Sequence, residues 1–298
     1  MKAAVIVLNY KGAQNTIDCI ISLKESISIT NHNVQIIVVE NGSNDGSKEK
    51  LQKLKGIKLL VNNKNLGYSG GNNVGIKYAL SAGFGYVIVI NNDTIVEKNF
   101  INALLADTAD AQIITPKIYF AKGYEFHEKR YNDKEKGKII WYAGGKIDWD
   151  NIIGVHIGVD EVDSGQFNNK ASIDFATGAC MCISASVFNK IDFLEEKYFL
   201  YLEDMDFSVR AKKAGFKIIF EPKAIIWHKN AASSGGSGSY VQDYYITRNR
   251  LLFSFKFAKL RTKIAVLKQI TSQANNPIKR RALIDFLTFN FGENKRFK

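Results

Sequence analysis

A chain of 298 residues that is 46% hydrophobic and 23% charged has the make-up of a packed globular protein, one large domain or two small ones. This excludes a disordered chain, a collagen-like repeat and a coiled coil. The formal net charge of +12 is uneven: Arg248–Lys298 carries 13 Lys and Arg against only Asp285 and Glu293, so a near-neutral body precedes a basic tail suited to an anionic surface.

The first elements alternate. Ala3–Leu8 is a short β-branched run with a lone Lys2 ahead of it and no small-residue cleavage site after it, so no secretory signal is expected. Residues 13–26 follow with helical spacing at Ile17, Ile20, Ile21 and Leu23. Val34–Val39, Ile57–Val61 and Tyr86–Ile90 read as further strands, with helices over 46–55 and 70–82 between them. This order predicts an α/β fold: a Rossmann-like, mostly parallel sheet with helices on both faces. Ligands of such sheets bind beyond the carboxyl ends of the strands. That singles out Asn9–Tyr10, Glu40–Asn41–Gly42, Asn62–Asn63 and Asn91–Asn92–Asp93.

Residues 117–170 are rich in Gly, Lys, Asp and Asn and read as loops with a hairpin or two around Trp141–Tyr142 and Trp149. An ordered block from Ser172 to about His228 contains predicted helices over Ala185–Lys190 and Glu203–Ala214, the second ended by Gly215. A strand, Lys217–Phe220, comes next. Ala231–Ser239 is a low-complexity Ala/Ser/Gly stretch that suits a flexible loop or lid. In the tail, Phe253, Phe257, Leu260, Ile264 and Leu267 recur at spacings of 4, 3, 4 and 3, one narrow apolar stripe flanked by Lys256, Arg261, Lys263 and Lys268. Two readings are open: a helix lying in an anionic membrane surface, or a helix packed on the body or in a dimer. No nucleic-acid motif accompanies the charge. No apolar run approaches the roughly 18 residues of a spanning helix. The 3 cysteines are too few for a disulfide framework, and Cys180 and Cys182 are too close for a zinc site without partners, so a reducing compartment is expected.

Four stretches carry candidate chemistry. Asp93, directly after a buried strand, either holds a divalent cation against a diphosphate or caps a helix beginning near Glu97. Asn65–Gly75, with glycines at 67, 70, 71 and 75, either brings backbone N–H groups to a phosphate or merely connects elements; it is neither a dinucleotide fingerprint nor a P-loop. Tyr198–Phe207 sets Glu203, Asp204 and Asp206 at the opening of a helix. Glu203 and Asp206 share a face and Asp204 points elsewhere. These carboxylates either complement the helix dipole or include a general base tuned by its apolar surroundings. His228 is either structural or a ligand.

The order of the blocks is more telling than any one of them. Val5–Gly12, Val38–Ser47, Asn65–Gly75, Asn91–Asp93, Trp141–Gly145, Asp174–Ala179, Tyr198–Asp206, Ala214–Phe216, Pro222, His228 and Tyr244–Arg250 follow one another over roughly residues 3–253. The series resembles the family 2 glycosyltransferases, and within them the rhamnosyltransferase-like branch. The resemblance implies a GT-A fold over 1–230, a nucleotide-binding half (1–95) merging into an acceptor-binding half (96–230), followed by the loop and helical tail of 231–298. It implies inverting transfer of a sugar from a nucleotide donor, dTDP-rhamnose or a UDP-sugar, to a hydroxyl of a glycan or lipid-linked acceptor in surface polysaccharide synthesis. The setting would be cytoplasmic, on the inner face of the membrane, with the oligomeric state open.

By the same resemblance, Asn9, Tyr10, Glu40, Asn41, Gly67, Asn72 and Asn92 would hold the donor nucleotide. Gly178, Glu203 and Trp141 would face the sugar and acceptor. Asp204 would be the general base, and Asp93 with His228 would hold Mn²⁺ or Mg²⁺. Two departures stand out: Glu40 replaces the more usual Asp, and Asn91–Asn92–Asp93 offers one carboxylate where the family motif has a pair. The Gln-x-x-Arg-Trp motif of the processive polymerases is absent, which fits one sugar per encounter. Two rivals stay open: a sugar nucleotidyltransferase, although its Gly-rich basic loop is poorly matched by Asn9–Gly12, and a non-catalytic scaffold subunit keeping the fold.

Overall fold

A computed structural model describes residues 1–106, 108–230 and 239–296. The strands are β1 (Lys2–Asn9), β2 (Asn33–Glu40), β3 (Lys58–Val61), β4 (Tyr86–Asn91), β5 (Thr94–Val96), β6 (Ile113–Phe120), β7 (Ile140–Tyr142), β8 (Gly145–Asp148), β9 (Ile153–His156), β10 (Ala171–Ser172), β11 (Cys180–Ser184) and β12 (Ile218–His228). The helices are α1 (Ala13–Ser28), α2 (Ser47–Gln52), α3 (Gly67–Ser81), α4 (Phe100–Ala106), α5 (Ala185–Ile191), α6 (Glu203–Lys213), α7 (Tyr240–Phe257), α8 (Leu260–Ser272) and α9 (Pro277–Leu287).

One sheet dominates, ordered β10-β12-β6-β11-β4-β1-β2-β3, with β5 added to β12 and β7 to β6. The pairs β1–β2, β1–β4, β2–β3 and β6–β12 are parallel, while β11 runs antiparallel between β4 and β6. Successive residues Ala3–Val7, Ile36–Val39 and Val87–Ile90 are all buried. Burial on both faces of a strand requires cover on both faces, which explains why these stretches read as continuous β-branched runs rather than alternating ones. Glycine sets how closely α3 approaches: a Cβ on Gly71 would stand 2.5 Å from Leu8 Cδ1, so the glycines of this helix serve close packing.

Several elements differ from the sequence expectation. No helix starts near Glu97: β5 follows Asp93, and α4 begins only at Phe100. The segment Ile113–Phe120 is a central strand although it contains Pro116 and Lys117. Proline lacks the donor a ladder needs, and here the register of β12 shifts between Glu221 and Ile225, opposite Pro116 and Lys117. The buried Lys117 ammonium is neutralised by Asp163 at 2.8 Å and also donates to Asn168 at 2.8 Å. Beyond that bulge β12 continues past the expected Phe220 to His228. The apolar stripe of the tail is not one helix, because Ala258 takes an extended conformation (φ −79°, ψ 161°) and α8 starts afresh at Leu260. Phe253 is buried in the core while Leu260 is 72% exposed. The Ala/Ser/Gly stretch lies outside the described residues except for Ser239, whose hydroxyl caps α7.

Candidate active site

Strand order 3-2-1-4 reverses the winding between β1 and β4, the place where a parallel sheet opens a crevice at its carboxyl edge. The register brings Asn9 opposite Glu40 and Leu8 opposite Asn91. Asn9 is buried, and its side-chain oxygen Oδ1 accepts from the Thr16 hydroxyl at 2.6 Å. That hydroxyl also accepts from Asn92 at 3.0 Å, so Thr16 ties the end of β1 to the turn after β4. The Glu40 carboxylate accepts from the amides of Gly42 (3.2 Å) and Ser43 (2.9 Å), closing its own loop. Asn41 makes four hydrogen bonds, to Asn62, Asn65, Leu66 and Gly67, and acts as a brace for two loops. Tyr10 is partly exposed at the lip. Asn72 donates to the Tyr68 carbonyl at 3.0 Å, while its own side-chain oxygen is buried with no partner among the described residues. Such an oxygen is worth a hydrogen bond to whatever donor enters beside it.

Antiparallel pairing of β5 with β12 sets His228 opposite Thr94, and thereby beside Asp93. Both side chains are buried, with His228 Nε2 3.0 Å from Asp93 Oδ1. The other ring nitrogen, Nδ1, is buried and has no partner among the described residues, so no second hydrogen bond there commits the ring to that proton arrangement. Two ligands at the ordinary Mg²⁺ distance of about 2.1 Å and at right angles stand about 3 Å apart, so this pair fits a divalent cation. Among the described residues no group of three or more His, Cys, Asp and Glu suits a metal; the pair would leave most of the coordination shell to diphosphate and water oxygens. Trp141 stands edge-on to His228, ring centroids 4.7 Å apart.

At the opening of α6, the Asp204 carboxylate accepts from the amides of Gly178 and Met205, each at 2.8 Å. Burial raises its pKa while those two amides pull it down. Burial drives neighbouring Glu203 further, well above the ordinary carboxylate range, and the Asp204 charge adds to the effect. Of its oxygens, Oε2 is buried and has no partner among the described residues. The two adjacent carboxyls thus differ in surroundings: burial favours the neutral form of Glu203, while two amides favour the ionised form of Asp204. Asp206, fully buried, is committed to Tyr198 (3.0 Å), Arg210 (2.5 Å) and Lys256 (2.6 Å), an arrangement that holds structure.

Sequence reasoning missed several contributors. The Tyr68 hydroxyl donates to the Gly178 carbonyl, so Gly178 links Tyr68 to Asp204 through its own carbonyl and amide. The loop ahead of α6 is strained, with Phe199, Tyr201 and Leu202 at φ of 64°, 70° and 68°, a region bulky residues avoid. Asn249 of α7 holds it by donating to the carbonyls of Tyr198, Leu200 and Tyr201. The fully buried Arg248 donates to those of Lys197 and Tyr198. Tyr68 and Arg248–Asn249 lay inside quoted motifs, but their partners are 110 and about 50 residues away, which no local pattern displays. The two halves of the site meet at Gly178–Ala179: the first binds Asp204, and the carbonyl of the second accepts from Asn91 N–H at 2.9 Å.

Residues 4–191 match glycosyl transferase family 2. A low-salt glycan biosynthesis hexosyltransferase, Agl10, of Haloferax volcanii is 28% identical over 84% of this chain and 75% of its own length. The dTDP-rhamnosyl transferase RfbF of Shigella flexneri is 25% identical over 84% and 78%. Among solved structures, GalNAc-T7 with UDP, GalNAc and Mn²⁺ superposes with a TM-score of 0.61 at 17% identity. That match covers 84% of this chain, which spans about half (51%) of GalNAc-T7, and it shares the sheet and helix layout described above. The order of motifs, the carboxyl-edge crevice and the family match converge: the chain belongs to glycosyl transferase family 2 and is a glycosyltransferase of the GT-A fold.

Proposed function

We propose that this glycosyltransferase inverts the anomeric centre while moving a hexose from dTDP-rhamnose or a UDP-sugar to a hydroxyl of a lipid-linked or glycan acceptor in surface polysaccharide synthesis. The observation that carries the proposal is the adjacency at Gly178–Ala179, where the first residue binds the Asp204 carboxylate and the second binds the amide of Asn91, two residues ahead of Asp93. Residues 1–95 would hold the nucleotide and 96–230 the acceptor. A divalent metal bound by Asp93 and His228 would supply positive charge to the departing diphosphate. Asp204 takes the proton from the acceptor hydroxyl as its oxygen attacks the anomeric carbon. The amides of Gly178 and Met205 keep that carboxylate aimed and ionised, and Glu203 stays neutral beside it. The deciding experiment is calorimetric titration of the folded protein with UDP-, GDP- and dTDP-sugars, each with Mn²⁺ and with EDTA. Metal-dependent binding of one donor supports the reading; binding of none, with or without metal, overturns it.

The protonation pattern has its own consequence. A carboxyl whose native pKa lies above its unfolded value favours folding only at low pH, and that support disappears as pH climbs through the native value. Glu203 is such a group. Glu203→Gln should therefore raise the thermal midpoint at pH 8, by about 2–4 °C for each kcal/mol of penalty removed, and leave it unchanged near pH 4. Calorimetric scans at the two pH values test this, and an equal or lower midpoint at pH 8 counts against a buried, proton-holding Glu203.

The membrane side of the proposal rests on the tail. Among the described residues no helix is long and apolar enough to cross a membrane. Instead, Phe255, Phe286, Phe291 and Phe289 form a run of ring contacts, with centroids 5.0, 6.3 and 6.2 Å apart in turn. Phe289 is 81% exposed and held at φ 56°. Leu287 and Ile284 are exposed on the same helix, with Arg280, Lys295 and Arg296 also open to solvent. Apolar side chains beside cations suit the interface of an anionic bilayer. The protein should sediment with phosphatidylglycerol vesicles at low salt and not with phosphatidylcholine vesicles. Leu287→Ser with Phe289→Ser should weaken binding about tenfold or more; unchanged sedimentation would place the contact elsewhere.

A further inference from the structure

His156, at the end of β9, lies outside every motif, yet the fold places it against the site. Its ring stands edge-on to Trp141 at 4.5 Å and to Tyr142 at 5.0 Å, and is tilted on Phe175 at 6.0 Å. Trp141 is in turn edge-on to His228. His156 is thus one ring away from the Asp93–His228 pair. Its Nδ1 is 3.2 Å from the Trp141 carbonyl. A carbonyl only accepts, so Nδ1 bears the hydrogen, and in the neutral ring Nε2 is left with its lone pair. That nitrogen has no partner among the described residues, and the residue is only partly buried. Burial lowers the ring's pKa to about 4, so the neutral form holds at physiological pH. An aromatic wall with one fixed acceptor has the make-up of a carbohydrate subsite, where ring faces cover C–H surface and one polar atom fixes a hydroxyl.

We propose that His156 Nε2 accepts a hydrogen bond from a hydroxyl of the sugar being transferred, the group attached to the diphosphate that Asp93 and His228 would face. The inference rests on the transferase reading and adds a specificity-determining residue to it. It is tested by calorimetric affinities for dTDP-rhamnose, UDP-GalNAc and GDP-mannose, each beside its free nucleoside diphosphate, in wild type and in His156→Asn, His156→Gln and His156→Phe. Asn can keep the bond to the Trp141 carbonyl but has no atom at the Nε2 position; Gln reaches that position. The expected result is a loss of about five- to tenfold in nucleotide-sugar affinity for Asn and Phe. Free-nucleotide affinity should be unchanged, confirming a folded site, and Gln should lie closer to wild type. If Asn behaves as wild type, His156 only positions Trp141 and the inference fails. It also fails if free nucleotide and nucleotide-sugar weaken together, or if Gln is no better than Asn. A wild-type protein that binds none of the three sugars overturns the donor reading proposed above, and this inference with it.

Discussion

Replacing Asp204 by Asn removes sugar transfer, with turnover falling by about 10²- to 10⁴-fold, while the affinity for donor is retained. The change is nearly isosteric, but a single oxygen can accept from only one of the amides of Gly178 and Met205 that now share the carboxylate. Folding is therefore checked separately by thermal scan. The more diagnostic reading is the pH–rate profile. A general base acts when ionised, and burial raises the Asp204 pKa above the ordinary Asp value. The wild-type rate should rise with pH through that raised value, and the residual activity of the variant should lack this limb. Retained turnover in the Asn variant, or an unaltered limb, would remove Asp204 from the base role.

Asp93→Ala is expected to weaken donor binding by about ten- to hundredfold in Mn²⁺ and to leave affinity in EDTA unaltered. Its carboxylate is buried against His228 at 3.0 Å, so removal also leaves the imidazole without that partner. His228→Gln gives the matching test from the other side, because an amide can still pack against Trp141 but is a poor metal ligand. If chelator changes nothing in the wild type, or if both variants keep metal-dependent affinity, the pair is a buried hydrogen bond and no more.

Much of the nucleotide half was legible in the sequence because physics there is local. Strands buried on both faces appear as unbroken β-branched runs, and β1 to β4 were placed within about two residues. Elements whose stability depends on distant partners were not legible. Strand β6 was lost because Pro116 and Lys117 interrupt its apolar run; what permits them is a bulge in β12 and an ion pair with Asp163, 46 residues on. The break at Ala258 carries no proline or glycine, so the regular spacing from Phe253 to Leu267 concealed two helices. Among site residues, Asp93, Asp204 and His228 were nominated by the order of motifs. The resemblance also set Asp93 and His228 at one metal although 135 residues separate them; their direct 3.0 Å contact is what the fold adds. His156 had no sequence signal at all, because an imidazole acquires its role from the rings packed around it.

Clamping of the strained Phe199–Leu202 segment by Arg248 and Asn249 bears on how such enzymes can be recombined. The boundary near residue 230, convenient as a splice point on the sequence, is not a neutral seam. A hybrid that keeps this body but takes an extension without Arg and Asn at positions 248 and 249 would leave the strained loop ahead of α6 without its five carbonyl contacts. Body and extension are therefore a single heritable unit.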